Sequence, residues 1–206
     1  MPNWVHNELA LEGDKDDILS LIEKVAGGDR KGFDFNCILP MPETMQVTVG
    51  SYEDDNLRYY CLLAGKAMPE GKFRSDLPVG KGYPTLAAYQ MFDKAHPDTL
   101  SVAEGKKIYI NLTEHGCKDW YEWAVKHWGT KWNACQPTGF QVLDAVTYTS
   151  FNTAWNAPYP LLEALSRMYP HITLRMTSTY EEGFVERSEY CAGEEIFFDR
   201  DDCNEA

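Results

Sequence analysis

Residues 171–199 read "HITLRMTSTYEEGFVERSEYCAGEEIFFD", and this stretch alternates in the manner of paired strands. Its first part has apolar residues at every second position, namely Ile172, Leu174 and Met176. Such alternation predicts a strand with one buried face. The second part is typical of a hairpin that turns at Ala192-Gly193. Because strands joined by a tight turn must be antiparallel, the sequence predicts an antiparallel sheet at this end of the chain.

Two more strands are indicated outside this stretch. Residues 4–13, "WVHNELALEG", predict a half-buried strand. The more apolar face of that strand consists of Val5, Asn7, Leu9 and Leu11. Residues 139–155, "GFQVLDAVTYTSFNTAW", are dense in β-branched and aromatic residues, which favours a strand.

Helices are indicated next to these strands. Residues 14–28, "DKDDILSLIEKVAGG", predict a helix that begins at an N-cap, Asp14, and ends at Gly27 and Gly28. Its buried stripe is expected to be Ile18, Leu21, Ile22 and Val25. Residues 157–170, "APYPLLEALSRMYP", predict a helix whose inward residues are Leu161, Leu162, Leu165 and Met168. Together these elements predict an α+β fold, with one antiparallel sheet and helices packed on one face.

The middle of the chain has a looser pattern. Two helical stretches, 53–68 and 84–96, flank a loop rich in Gly, Pro and Lys, and Pro84 is acceptable in the first turn of the second helix. We expect a single domain over residues 1–206, with 43–112 as a helical and loop insertion.

The composition and the N-terminal sequence predict the cellular compartment of the protein. No apolar run approaches the ~18 residues that a membrane span needs, and the N-terminus lacks the basic start and apolar core of a signal peptide. Six cysteines occur without a C-x-x-C pair, which favours reduced thiols. We therefore expect a soluble, cytoplasmic protein that has no membrane partner.

Acidic residues are concentrated at the C-terminal end. Residues 180–206 contain ten acids and two arginines, so this stretch carries −8 of the formal net charge of −13. Such a surface repels phosphate backbones, which disfavours direct nucleic-acid binding and favours basic partners. The expected partner-binding acidic face consists of Glu181, Glu182, Glu186, Glu189, Glu194, Glu195, Asp199, Asp201 and Asp202.

Two interpretations of the acidic stretch stay open. Runs of charge are usually solvated faces without a partner. Alternatively, the carboxylates mimic nucleic acid, because positions i and i+2 of a strand, such as Asp199 and Asp201, stand ~6–7 Å apart. That spacing is near the distance between successive phosphates, so a basic groove would accept the surface.

Tryptophan is concentrated in the stretch "WAVKHWGTKWNACQP", residues 123–137. A helix predicted over 119–128 places Trp120 and Trp123 on one side, where core packing is the simpler interpretation. Beyond the helix end at Gly129, loop residues carry function more often. The candidate pocket or rim residues there are Trp128, Lys131, Trp132 and Asn133, for which core and binding roles both stay open.

Known catalytic signatures are missing from the sequence. It contains no G-x-S-x-G elbow, no H-E-x-x-H motif and no H-x-E with a following P-C-x-x-C. A weak metal spacing is formed by His115, Cys117, His127 and Cys135, but ordinary thiols and histidines are the simpler interpretation. We therefore expect no catalytic residues, no metal site, no cofactor and no enzymatic activity.

Four segments carry a resemblance to a known family. They are "MPNWVHNELALEG", "FDFNCILPMPE", "WYEWAVKHWGTKWNA" and "YTSFNTAWNAPYPLLEALSRMYP". Together they resemble the Api-like and YubB-like proteins of phages and conjugative plasmids, whose members typically have Cys after "MPNW", where this chain has Val5. The resemblance implies a ferredoxin-like fold and a mobile-element origin, and it brings no catalytic residues.

The main hypothesis combines this resemblance with the acidity and the missing motifs. The chain is expected to be a phage or plasmid accessory protein that binds and inhibits a host protein or complex in the bacterial cytoplasm. The preferred target is a defence complex with a basic nucleic-acid-binding groove; monomer and homodimer both stay open. One alternative is a protein that sequesters a nucleotide signal in a tryptophan-lined pocket, with polar contacts from Lys72, Arg74 and Lys81. The other alternative is an uncharacterised hydrolase.

Overall fold

The computed structural model describes residues 3–26, 32–50, 52–71, 73, 85–143 and 146–202. The chain divides into two units, Met1–Pro40 with Ala124–Ala206, and Met41–Trp123. The helices are α1 (Lys15–Val25), α2 (Glu53–Ala64), α3 (Leu86–Ala95), α4 (Val102–His115), α5 (Trp120–His127) and α6 (Tyr159–Met168), with short 3₁₀ helices at Phe35–Cys37 and Glu43–Met45. The strands are β1 (Trp4–Glu12), β2 (Gln141–Leu143), β3 (Val146–Ala154), β4 (Thr173–Tyr180), β5 (Phe184–Cys191) and β6 (Glu194–Asp202).

The first unit is built on a six-stranded sheet with the order β2-β3-β1-β4-β5-β6. Every neighbouring pair is antiparallel. β1 lies at the centre, where Leu9 faces Thr149 of β3 on one side and Met176 of β4 on the other. The predicted α+β class with one antiparallel sheet is therefore confirmed.

One face of the sheet forms the core, as the alternation predicts. The four β1 residues on this face, Val5, Asn7, Leu9 and Leu11, have no exposed surface. Asn7 is polar, and its amide is satisfied inside the sheet. Its Nδ2 donates to Thr153 Oγ1 at 2.9 Å, and its Oδ1 accepts from Ser178 Oγ at 2.8 Å. These bonds remove the cost of burying a polar group.

The helices of this unit have the predicted apolar stripes. The Asp14 side chain caps α1 by accepting from Asp16 N at 2.8 Å, and Ile18, Leu21 and Val25 are buried. In α6 the buried residues include Leu161, Leu162 and Leu165. The prediction that Met168 faces inward was wrong: it is 44% exposed, because it is the last residue of α6 and lies beyond the covered part of the helix.

The second unit is helical, and the predicted insertion 43–112 falls within it. α2 and α4 pack backbone to backbone at Gly105, where a Cβ atom would lie 2.0 Å from the Asn56 carbonyl oxygen. A small core forms beside this contact from Val47, Leu57, Cys61 and Ile108. The loose sequence pattern did not predict α4 as a separate helix, although six of its fourteen residues are apolar.

Several sequence predictions lie outside the described residues: Gly27, Gly28, Lys72, Arg74, Lys81 and Pro84. Within the described ranges, no helix combines the length and apolar character needed to cross a bilayer.

Candidate functional site

The β5–β6 hairpin turns at the predicted dipeptide. Ala192 and Gly193 both have positive φ, 53° and 84°, as a two-residue type I′ turn requires. The Gly193 N–H donates to Ser166 Oγ of α6 at 3.0 Å, which fixes the turn against the helix. The hairpin therefore carries β6 as the last strand of the sheet.

β6 is exposed along its whole length. All nine of its residues are exposed on both faces, including three consecutive large apolar residues. Ile196, Phe197 and Phe198 keep 56%, 46% and 48% of their surface in contact with solvent. A run of this kind on an edge strand is unusual, because exposed apolar edges invite pairing with other chains.

A bulge sets the direction of these apolar side chains. The pairing runs from Glu189 opposite Phe197 to Tyr190 opposite Glu195, so Ile196 is an additional residue in β6. Residues 197–202 beyond the bulge pair regularly with β5. Phe198 lies edge-on to the Tyr159 ring of α6, with ring centroids 6.0 Å apart. Phe197 therefore points to the opposite face of the sheet.

β6 is also strongly acidic, with five carboxylates against Arg200. Asp199 pairs with Arg187 of β5 at 3.4 Å, and Asp202 with Arg200 at 3.2 Å. The Arg200 guanidinium also lies 3.8 Å from the centre of the Phe184 ring. Exposed pairs of this length are weak, so they leave most of the negative potential of the strand in place.

Other predicted acidic residues lie beside β6. Glu181 and Glu182 are exposed in the β4–β5 turn. Glu181 accepts from the Trp4 backbone N–H at 2.9 Å, and Glu182 accepts from the Asn3 amide. Glu189 is half-buried and pairs with Arg175 at 3.0 Å. These three carboxylates contribute charge to the hairpin region while they hold local structure.

Glu186 does not belong to the exposed acidic face, and its inclusion was wrong. The strand period places it on the helix-covered face of β5, where only 9% of it is exposed. Its carboxylate accepts from the Tyr159 hydroxyl at 2.5 Å and from the Tyr180 hydroxyl at 2.6 Å. The pKa values of both phenols lie well above the ordinary value for tyrosine. Burial is the larger cause, and the hydrogen bond to Glu186 is the second.

Two of the four predicted pocket residues have structural roles. Trp128 is 4% exposed, its Nε1 donates to the Leu39 carbonyl at 2.9 Å, and its ring meets Phe35 edge-on. Asn133 ties the loop to the 3₁₀ segment, since its Oδ1 accepts from Phe35 N at 2.9 Å and its Nδ2 donates to Asp34 at 2.7 Å. For Trp128 the structure favours the core role.

The other two predicted pocket residues lie at the surface. The Lys131 ammonium is 4.8 Å from the centre of the Trp132 ring and 4.9 Å from that of Trp155. Trp4 lies 6.0 Å from Trp132 on the other side. Trp155 has φ of 76°, a strained backbone for a large residue. This lysine and the three indoles, Trp4, Trp132 and Trp155, form what we call the tryptophan cluster.

A cavity of about 470 Å³ opens beside Trp4. Its lining residues are Trp4, His6, Cys135, Gln136, Asn152, Thr179, Tyr180 and Glu181. Asn152 stands opposite His6 in β1 and bridges to Cys135 on its other side. The His6 ring meets Asn152 Oδ1 at 2.9 Å, and Asn152 Nδ2 donates to Gln136 at 3.1 Å. The backbone positions of Cys135, Asn152 and His6 thus lie side by side, with Asn152 in the middle.

Sequence reasoning missed two features of these sites. The Ile196–Phe198 run was noticed only as part of a hairpin. Three apolar residues in succession break the strand alternation and favour burial on both faces, so the exposure of this run follows only from the place of β6 at the end of the sheet. The polar cavity residues His6, Asn152, Cys135 and Gln136 come from three separate segments of the sequence. Only the pairing of β1 with β3 shows that they lie together. Among the residues that the structure describes, no group of three or more His, Cys, Asp or Glu side chains is arranged to hold a metal ion.

Comparisons with known proteins agree with this architecture. Residues 127–206 match the family model of the ferredoxin-like domain in Api92-like protein. A crystal structure of the protein api92 from Yersinia pseudotuberculosis is similar in fold, with a TM-score of 0.50 and 12% sequence identity over 98% of each chain. Among curated protein sequences, none matches the chain. The resemblance to the Api-like family is thereby confirmed for residues 127–206, which match the ferredoxin-like domain of that family.

Proposed function

We propose that this chain is an accessory protein of a phage or plasmid that binds and inhibits a host protein through the exposed acidic edge formed by β6. The observation that carries the proposal is the exposure of all nine β6 residues, with five carboxylates and one arginine. Such a strand is costly to keep unless it has a partner, because an exposed apolar edge promotes aggregation.

The charge of the edge favours a basic partner. Opposite potentials steer association and select the partner, while like charges repel wrong ones. A nucleic-acid-binding groove of a host defence complex is a surface of the required sign. Asp199 and Asp201 share one face of β6 at the ~6–7 Å spacing of strand positions i and i+2, which supports the mimicry of successive phosphates.

Binding is favoured over catalysis by the order of the cavity residues. Cys, His and Asn are the residue types of one group of cysteine hydrolases, in which the imidazole contacts the thiol and the amide orients the imidazole. Here Asn152 stands between Cys135 and His6. That order supports a protein that acts without covalent chemistry at this cavity.

The test uses matched charge variants of the full chain. The edge variant is Glu194→Lys with Asp201→Lys, and the control is Glu8→Lys with Glu23→Lys, on β1 and α1. Both variants change the net charge equally, and all four residues are exposed. Wild type and control are expected to retain the same bacterial proteins from a lysate, and duplex DNA should release them, whereas the edge variant should lose them. Equal retention by all three proteins, or retention that DNA does not affect, rejects the proposal.

A second candidate function rests on the cavity beside Trp4. The Trp4 ring, which is the member of the tryptophan cluster that lines this cavity, and the hydrogen-bonded amides of Gln136 and Asn152 suit a planar, polar small molecule. Glu181 at the cavity wall disfavours phosphate groups. Isothermal titration calorimetry with nucleosides and the corresponding nucleotides tests whether the cavity binds such a molecule. The variant Trp4→Ala should show no heat of binding. Absence of heat with every compound removes this candidate.

A further inference from the structure

The outer edge of β6 is able to accept another strand. β6 is the last strand of the sheet, and none of the strands that the structure describes pairs with its outer side. Natural edge strands are usually blunted by shortness, proline or lysine. β6 has nine residues and contains neither proline nor lysine. Its bulge at Ile196 leaves residues 197–202 in regular pairing with β5, so this segment has the extended backbone that strand addition requires.

Charge argues against a second copy of this chain on that edge. Antiparallel pairing of two full β6 strands would place Glu194 opposite Asp202 and Glu195 opposite Asp201, each twice by symmetry. Like charges directly opposite each other destabilise a strand pair. Parallel pairing in register would place every acid beside its own copy. In these two registers the edge is repelled by its own copy, whereas a segment of opposite charge meets no such repulsion.

We infer that residues 197–202 of β6 add an extended basic segment of the partner as a seventh strand of the sheet. Main-chain hydrogen bonds would give affinity, as in other cases of strand addition. Apolar residues of the segment would cover Phe197 and Phe198, and lysines or arginines would face Asp199, Asp201 and Asp202. This inference rests on the proposed function, since it assigns the partner class and the binding mode for the same surface.

The side chains of β6 fit this occupant on both faces. Phe197 lies on one face and Phe198 on the other, so an added strand buries apolar surface on both sides. Arg200 is already engaged by Asp202 and the Phe184 ring. One uncharged residue opposite Arg200 therefore avoids repulsion. The expected segment is apolar opposite 196–198, uncharged opposite Arg200 and basic opposite the five acids of β6.

Two blocked peptides test the inference with the full chain. The strand peptide is Lys-Lys-Thr-Lys-Val-Val-Val-Lys-Lys, and the matched control is Lys-Lys-Thr-Lys-Pro-Val-Pro-Lys-Lys, which has the same charge but cannot form a regular strand. At physiological salt, we expect the strand peptide to bind at least about tenfold more tightly by fluorescence anisotropy. It should also slow amide hydrogen exchange in residues 197–202, which the control peptide should not do.

The outcomes separate this inference from the proposed function. Equal affinity of both peptides, lost in the variant Glu194→Lys with Asp201→Lys, overturns strand addition and leaves the acidic edge as a charge-only site. Binding of neither peptide, or equal binding to wild type and that variant, rejects the edge as a site for basic segments. A dimer in sedimentation that Phe197→Lys dissociates would assign the edge to a second copy and likewise overturn the inference.

Discussion

The Tyr159 hydroxyl, in the first turn of α6, donates to the carboxylate of Glu186 in β5 at 2.5 Å. The same carboxylate accepts from Tyr180 of β4 at 2.6 Å, and Arg200 of β6 lies 3.7 Å from its other oxygen. One buried acid thus connects a helix with three neighbouring strands. Glu186 therefore helps to hold the hairpin that contains β6 in place, although its carboxylate is buried and does not face a partner.

Removing one phenol should weaken this network. We expect Tyr159→Phe to lower the free energy of unfolding by about 1–3 kcal/mol, because the buried carboxylate loses a hydrogen bond to a charged group. Denaturant unfolding followed by far-UV circular dichroism measures the change. The control is Tyr148→Phe on β3, whose side chain is 40% exposed and which should change stability little. Equal effects of the two substitutions would show that Glu186 does not depend on Tyr159.

The same phenols predict how stability depends on pH. Burial and the hydrogen bond to Glu186 raise the pKa of Tyr159 and Tyr180 in the folded protein. The folded state therefore holds these protons more tightly than the unfolded state, whose phenols titrate near pH ~10. This contribution to stability is present below pH ~10 and is lost as the pH rises above it.

Absorbance at 295 nm and unfolding experiments check this prediction. Three of the twelve tyrosines, Tyr159, Tyr180 and Tyr190, should ionise only at the onset of alkaline unfolding, because burial raises the pKa of each. In Tyr180→Phe, stability should fall less steeply above pH ~10. A normal titration of all tyrosines in the folded protein contradicts the prediction.

The two loop tryptophans should differ sharply in their effect on stability. Trp128→Ala should cost about 3–5 kcal/mol, because it empties a buried site and leaves the Leu39 carbonyl without its donor. Trp132→Ala should cost about 1 kcal/mol or less, since that ring is half-exposed. Guanidinium unfolding of both variants measures the difference. Comparable losses would mean that Trp132 also belongs to the core.

Local patterns predicted the ferredoxin-like unit well because its elements obey simple periods. The alternation of β1 and the Asp14 cap of α1 are visible in adjacent residues. Glu186 could not be assigned correctly in the same way. A charged residue in a strand is expected to face solvent, and only the positions of Tyr159 and Tyr180, 27 and 6 residues away, explain its burial.

The candidate sites were predicted less completely for a related reason. Acidity identified the hairpin, but exposure of both faces of β6 follows from its place at the end of the sheet order, which depends on non-local pairing. The grouping of polar residues at the cavity likewise depends on β1 lying beside β3. Residue types indicated the chemistry of the surface, whereas topology determined which residues meet.

The helical second unit offers a test of close packing at Gly105. Replacing a helical glycine by alanine normally stabilises a helix by about 0.5–1 kcal/mol. At this position the new Cβ would lie 2.0 Å from the Asn56 carbonyl oxygen and 3.0 Å from Tyr60 Cβ. Because backbone cannot yield as a flexible side chain does, α2 and α4 must separate. We therefore expect Gly105→Ala to destabilise the protein by about 1–3 kcal/mol.

Thermal unfolding and limited proteolysis measure this effect. The matched control is Lys106→Ala, at the next, exposed position of α4, which should leave the midpoint nearly unchanged. Gly105→Ala should lower the midpoint and speed cleavage within residues 41–123. A raised midpoint for Gly105→Ala would show that α2 and α4 are not in backbone contact there, because only an uncrowded helix gains from the added methyl group.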